Sequence, residues 1–261
     1  MMAWSEQVDL YCERLAPGLW GEPANALSNL AFIIAAIALW RLQLGARSAL
    51  PRGALSIRLL PLSVFLVGVF SALFHTLATR WAALLDTLFI LIYCCMFLYA
   101  FVRHALPAPW WTALAVAAGF AAVSYAFPRW FPAGTANGSL AYLPNLAGLV
   151  VITSVLAARR AVAARGFALA SAVFCVSLTL RTVDQAMCAR FPLGTHFIWH
   201  VLNGLLLWIV SREMILGRCH RGPESDAKSK ALTRSPTMGR TPGSGSNANR
   251  RVISLMIEVV S

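Results

Sequence analysis

The chain has 261 residues, 59% of them hydrophobic and 12% charged, with a formal net charge of +12 and a mean hydropathy of +0.67. Soluble globules carry about 25% charged residues, so this composition excludes an ordinary water-soluble domain and points to an integral membrane protein. The basic excess does not describe a nucleic-acid surface, because Arg and Lys gather in short connections and after Leu216 without interleaved aromatics.

In chain order, residues 1–24 hold Glu6, Asp9, Glu13 and Glu22 and lack the basic-then-apolar order of a cleavable signal peptide. They are expected to form an outer N-terminal segment. Apolar runs matching the ~20 residues that a bilayer span requires follow at about 25–43, 59–79, 82–102, 109–127, 139–158, 166–187 and 195–216. Pro-, Gly- and Arg-containing breakers separate them, such as Pro51-Arg52-Gly53 and Pro107-Ala108-Pro109. This pattern predicts an all-α bundle of seven transmembrane helices over 25–216.

Basic residues alternate along these connections. Arg41, Arg47, Arg52 and Arg58, then Arg103, then Arg159, Arg160 and Arg165, then Arg212, Arg218 and Arg221 fall on one side. The other side carries Arg80, Arg129 and Arg190 singly, and the N-terminal segment adds Arg14 among its four acids. The positive-inside rule then puts the N-terminus outside and the C-terminus in the cytoplasm. In a bacterial host the membrane would be the inner one. Residues 217–261, rich in Ser, Gly, Pro and charge, are expected to be a disordered cytoplasmic tail.

Polar groups inside such spans are costly and mark function by default. Glu22, Asn25, Ser28 and Asn29 open the first span, Ser71 and His75 close the second, and Asp86 begins the third. Arg181 and Asp184 end the sixth, and His196 and His200 open the seventh. In the predicted topology all of them fall in the outer half of the bundle. His196 and His200 stand four residues apart and share a helix face, as do Ser71 and His75. Three imidazoles converging from two helices supply three zinc ligands and leave a fourth position open, the pattern of a catalytic site. Zinc lowers the pKa of a bound water toward ~7. Asp86 is then the candidate proton carrier and Ser71 the candidate donor to a developing oxyanion. Bland readings stand beside these: an Asp86–Arg181 ion pair, a Ser71 hydroxyl bonded back to its own helix, and histidines that merely pack. Arg181, Asp184 and Asn25 are candidates to support the metal ligands from behind. Cys94, Cys95 and Cys175 lie within apolar runs and are expected to pack as inert thiols.

Together, SxxxH at 71–75, Asp86 eleven residues after the histidine, and HxxxH at 196–200 resemble the alkaline ceramidase family. The stretches YCER at 11–14, EPANALSNLAF at 22–32 and DQAMC at 184–188 are similar to it as well. That family belongs to a wider group of seven-helix membrane hydrolases and receptors that includes the adiponectin and progestin receptors. The resemblance covers about 9–216. It implies zinc on His75, His196 and His200, acid/base chemistry at Asp86, oxyanion stabilisation by Ser71, and hydrolysis of a lipid amide, ceramide or a related N-acyl lipid, to a fatty acid and a long-chain amine. It also implies a Cys12–Cys188 disulfide on the outer side, where disulfides persist; two free thiols are the alternative. Relatives hold calcium with acidic and amide side chains, and Glu13, Glu22 and Asn25 match that pattern. Leu10 and Leu15, however, stand where polar groups are expected, and Asp9 is the only nearby substitute. The plainer reading is that Glu13 and Glu22 hydrate the outer edge, with Glu22 favouring the start of the first helix. Two other function classes share the scaffold or its polar residues. One is a receptor or regulatory protein with a structural zinc. The other is a transporter with Asp86, Arg181 and Asp184 as a proton relay, against which no inverted repeat is visible.

Overall fold

The computed structural model describes residues 4–14, 16, 18, 20–46, 54–106 and 108–219. The expected tail therefore lies outside the described residues, apart from 217–219. That short part continues the packed structure: Cys219 is buried, and Ala163 donates its N–H to the carbonyl of Arg218.

Among the described residues the elements are all helical: α1 (Pro23–Ser28), α2 (Leu30–Gly45), α3 (Leu55–Arg58), α4 (Leu60–Leu77), α5 (Arg80–His104), α6 (Trp110–Ala126), α7 (Leu143–Ala158), α8 (Ala164–Met187) and α9 (His196–Ile215). Two 3₁₀ turns, Phe127–Trp130 and Thr135–Tyr142, join α6 to α7. Six stretches are long and apolar enough to cross a membrane: Pro23–Gly45, Leu60–Leu77, Arg80–His104, Trp110–Trp130, Thr135–Ala158 and Ala164–Met187. The last expected span, α9, is a 20-residue helix but is not among these six. His196, His200, Asn203, Arg212 and Glu213 dilute its apolar content, and most of them are buried against protein.

Two departures from the expected boundaries have local causes. The first span is interrupted at Asn29, between α1 and α2. There the Ser28 hydroxyl and the Asn29 amide both donate to the carbonyl of Asn25, displacing the helical backbone bond that this carbonyl would otherwise accept. The fifth span begins as a 3₁₀ turn rather than an α-helix at 139. Ala136, Asn137 and Gly138 are all left-handed, with φ of 52°, 52° and 71°, and Pro144 sits in the first turn of α7, where its missing N–H is harmless.

The bundle is organised around α4 and α9. Helix α4 packs on α2 and α5, and α9 packs on α2 and α8. Half of the apolar window of α4 is buried (50%), against 11% in the Trp110–Trp130 and Thr135–Ala158 stretches, which places α4 at the centre and those two toward lipid. Close approach is permitted by small residues. A Cβ added at Gly68 of α4 would lie 2.8 Å from the Phe32 Cβ, and one at Gly204 of α9 would lie 2.9 Å from the backbone of Ala31. The core fills with Leu39, Leu60, Leu156, Phe167 and Ile215. Large apolar side chains such as Leu62, Leu114, Val151 and Leu169 face outward, as expected of a surface that meets lipid. Because α4 and α9 run in opposite directions, the C-terminal turn of α4 meets the first turns of α9. The N-terminal segment covers that end: Gln7 bridges Thr79, and Val8 donates to the carbonyl of Ala78.

Candidate metal centre

His75 stands in the last turn of α4; His196 and His200 stand in the first two turns of α9. Their ligand atoms all lie within 4.8 Å of one another. The rings are 4.6 Å apart for His75–His200 and for His196–His200, and 5.1 Å apart for His75–His196. All three residues are buried, at 1–2% exposure.

Hydrogen bonds set the tautomers. His75 Nδ1 lies 2.6 Å from Glu22 Oε2, so Nδ1 carries the proton and the lone pair is on Nε2. For His200, the Ser28 hydroxyl spends its single proton on the Asn25 carbonyl at 2.8 Å. Its oxygen must therefore accept from His200 Nδ1, 2.7 Å away, which again leaves Nε2 as the free donor of electrons. His75 Nε2 and His196 Nδ1 are buried ring nitrogens without a hydrogen-bond partner. Leaving such atoms unpaired in an apolar interior is expensive, and a shared cation relieves the cost for the whole cluster. Three neutral imidazoles, two of them oriented by oxygen acceptors, form the donor set that zinc takes. The residues therefore fit a zinc-like ion.

Each ligand is braced by groups distant in sequence. Tyr11 stacks on His196, with ring centroids 3.6 Å apart and planes at 15°. Burial pushes the Tyr11 hydroxyl well above its usual titration range, outweighing the lowering effect of the Arg181 charge, so it remains a neutral O–H. Asp184 accepts the backbone N–H groups of Cys12, Thr195 and His196 at 3.1, 2.6 and 2.9 Å. One carboxylate thus ties the N-terminal segment, α8 and the start of α9 together. Gly194 makes room for it: its φ is +64°, and a Cβ there would lie 2.2 Å from Asp184 Oδ1. Cys12 and Cys188 are joined by a disulfide across the same junction, with Cα atoms 5.1 Å apart.

Among the described residues Arg181 and Asp86 form no ion pair. The Arg181 guanidinium bonds the Asn137 carbonyl and Ser139 Oγ, and lies over Tyr142 and Trp199. Glu13 and Glu22 stand outside the histidine cluster as ligands. Glu13 caps the start of α1, accepting from the N–H groups of Ala24 and Asn25 at 2.5 and 2.8 Å. Glu22 accepts from Arg14, Asn25 and His75. Burial alone would push the Glu22 carboxyl up, but the hydrogen bonds it receives from His75, Arg14 and Asn25 hold it below its usual range. Arg14, Tyr11 and the Glu22–His75 contact were not singled out from the sequence as parts of the site. The signal was the YCER–EPANALSN clustering of polar residues beside a span, but which of them meet depends on packing.

Asp86, on α5, and Ser71, one turn before His75, share a cavity with His196 and His200. Asp86 Oδ1 is buried without a hydrogen-bond partner. The cavity measures about 130 Å³. Beyond this polar end it runs between apolar walls that include Phe97, Phe120, Gly148, Ile152 and Val210. A histidine cluster, a carboxylate and a hydroxyl at the end of a greasy tunnel can hold a polar linkage whose substituents are apolar chains.

A family model described as Ceramidase matches residues 11–237. No curated protein matches the chain at a significant level.

Proposed function

This chain belongs to the ceramidase family, and from that premise we propose that it is a zinc-dependent intramembrane hydrolase. It cleaves the amide of ceramide or a related N-acyl lipid to a fatty acid and a long-chain amine. The observation that carries the proposal is the buried triad of imidazoles, with unpaired ring nitrogens on His75 and His196, beside the cavity that His196 and His200 line together with Asp86 and Ser71.

His75, His196 and His200 would hold the ion. Bound there, zinc would supply Lewis acidity to polarise a carbonyl and to acidify water. Asp86 takes a proton from the attacking water and delivers it to the amide nitrogen as the C–N bond breaks. The water oxygen ends in the carboxylic acid and the two hydrogens in the acid and amine, so no further reactant is needed. Ser71 donates its O–H to the carbonyl oxygen as negative charge develops there. Tyr11 stacks over His196 and excludes water from that side. The acyl chain lies along the apolar walls, and Phe120 and Gly148 on the lipid-facing side mark its way in.

For the membrane arrangement we propose seven spans, α9 included, with the metal end of the bundle outside. The alternation of arginines supports this, and so do two aromatic belts. Trp4, Trp20 and Trp130 are exposed at the metal end, and Trp40, Trp110 and Trp111 at the other.

The test is metal analysis and turnover of fluorescent ceramide and N-acyl lipids by detergent-purified protein. His200→Ala is expected to lose zinc and activity together. Asp86→Asn is expected to keep zinc and lose turnover by about 10²-fold or more; full hydrolysis by that variant would refute the acid/base role.

A further inference from the structure

The calcium pattern of the N-terminal segment and the contacts of its residues disagree. Calcium takes 6–8 oxygen ligands. Both oxygens of Glu13 receive backbone N–H groups, and both oxygens of Glu22 receive side-chain donors. Of the three matching side chains, Asn25 Oδ1 is the oxygen left without a partner, a single neutral ligand. Leu10 is exposed and offers none.

A different cation occupies the middle of this cluster. Arg14 Nε lies 2.5 Å from Glu22 Oε1, and both side chains are enclosed, at 4% and 1% exposure. A second guanidinium nitrogen donates to the backbone carbonyl of His75 at 3.2 Å, one of the last carbonyls of α4, which lack helical partners. The other carboxylate oxygen of Glu22 holds His75 Nδ1 at 2.6 Å. Arg14 therefore grips His75 twice: at the backbone directly, and at the ring through Glu22. Gly21 leaves room for the arrangement, since a Cβ there would lie 2.7 Å from Arg14 Nη1.

We propose that Arg14 is the resident cation of this site and a positioning residue for the metal centre. By fixing Glu22 and the end of α4, it holds His75 in its ligating tautomer and makes the centre independent of calcium. A guanidinium is permanently charged and forms several bonds in fixed directions, so it supplies in covalent form the neutralisation that a bound divalent ion would otherwise provide. The inference rests on reading His75 as a metal ligand.

The experiment has two arms on the full chain in detergent. In the first, calcium is titrated calorimetrically into zinc-loaded wild-type protein, and melting is recorded with calcium and with a calcium-selective chelator. The expected result is no stoichiometric calcium uptake and an unchanged melt. Stoichiometric uptake that raises the melt and is abolished by Glu22→Gln overturns the proposal. In the second, zinc affinity is measured by competition with a chromophoric chelator. Arg14→Gln is expected to weaken zinc about 10–100-fold, the range for removing a group that orients a ligand, and Arg14→Lys to recover part of the loss. A merely structural arginine would lower the melt of the metal-free protein and leave the zinc affinity of the folded fraction alone; wild-type affinity in Arg14→Gln overturns the proposal. Should Arg14→Gln not fold, Arg14→Lys and the calcium titration decide. Wild-type protein that takes up no zinc would sink the metal-centre reading instead, and calcium titrated into that metal-free protein tells the two failures apart.

Discussion

At the scale of single residues, the centre is a set of proton assignments. Glu22 and Ser28 each accept from an Nδ1–H and so present His75 and His200 through Nε2. The pH behaviour of Glu22 follows from its lowered pKa. The folded state holds that proton less tightly than the unfolded chain does. Its contribution to stability is therefore present above the ordinary carboxylate range and is lost as pH falls through the lower folded value. Metal-free protein should show this acid limb in melting measurements. Glu22→Gln should flatten that limb and lower the neutral-pH plateau by about 3 kcal/mol, the order that breaking a buried pair costs. An unchanged acid limb in the variant would assign it to other carboxylates. The same scale shows where sequence reasoning stops. The i, i+4 spacing exposes His196 and His200 as neighbours, because helical geometry fixes that relation. Nothing local relates Ser28 to His200, 172 residues on, or Tyr11 to His196. Those partners are chosen by how helices pack, which hydropathy does not encode.

At the scale of elements, six of the seven expected apolar runs form helices that meet a membrane-crossing criterion, with ends displaced by a few residues. They were legible because lipid demands a long apolar run whatever the tertiary fold. The seventh run, 195–216, forms the helix α9 but falls short of that criterion, because it spends several positions on the site. The 3₁₀ turn Thr135–Tyr142 was hidden, since its left-handed residues Ala136 and Asn137 are unusual in that conformation. The loosely buried α6 and α7 bound the far part of the cavity, where Gly148 faces Phe120 and a Cβ on Gly148 would lie 3.9 Å from that ring. Gly148→Phe should therefore narrow the lipid-side passage. We expect kcat/KM for long-chain amides to fall at least ~10-fold while zinc content stays at the wild-type level. A long-chain rate equal to wild type would place the passage elsewhere.

At the scale of the whole molecule, the centre is assembled from both ends of the bundle's chain and held by three kinds of link at one junction. These are the Cys12–Cys188 disulfide, the Asp184 carboxylate and the Tyr11–His196 stack. The disulfide spans 176 residues, so the unfolded chain loses much freedom to it, and removing such a link costs about 2–5 kcal/mol. Reduction, or the Cys12→Ser/Cys188→Ser pair, should lower the melt by that order and reduce turnover, because Tyr11 is no longer pinned over His196. Unchanged turnover after verified reduction would show that Asp184 suffices to seat the segment.

That arrangement has a consequence for biogenesis. A nascent chain that has emerged only as far as α8 owns a single imidazole of the three and, of the two bridging cysteines, Cys12 alone. It cannot retain an ion, whatever the ambient supply. On the proposed metal reading, loading would have to follow insertion of α9, which carries the other two imidazoles, so activity would begin only once that helix is in place.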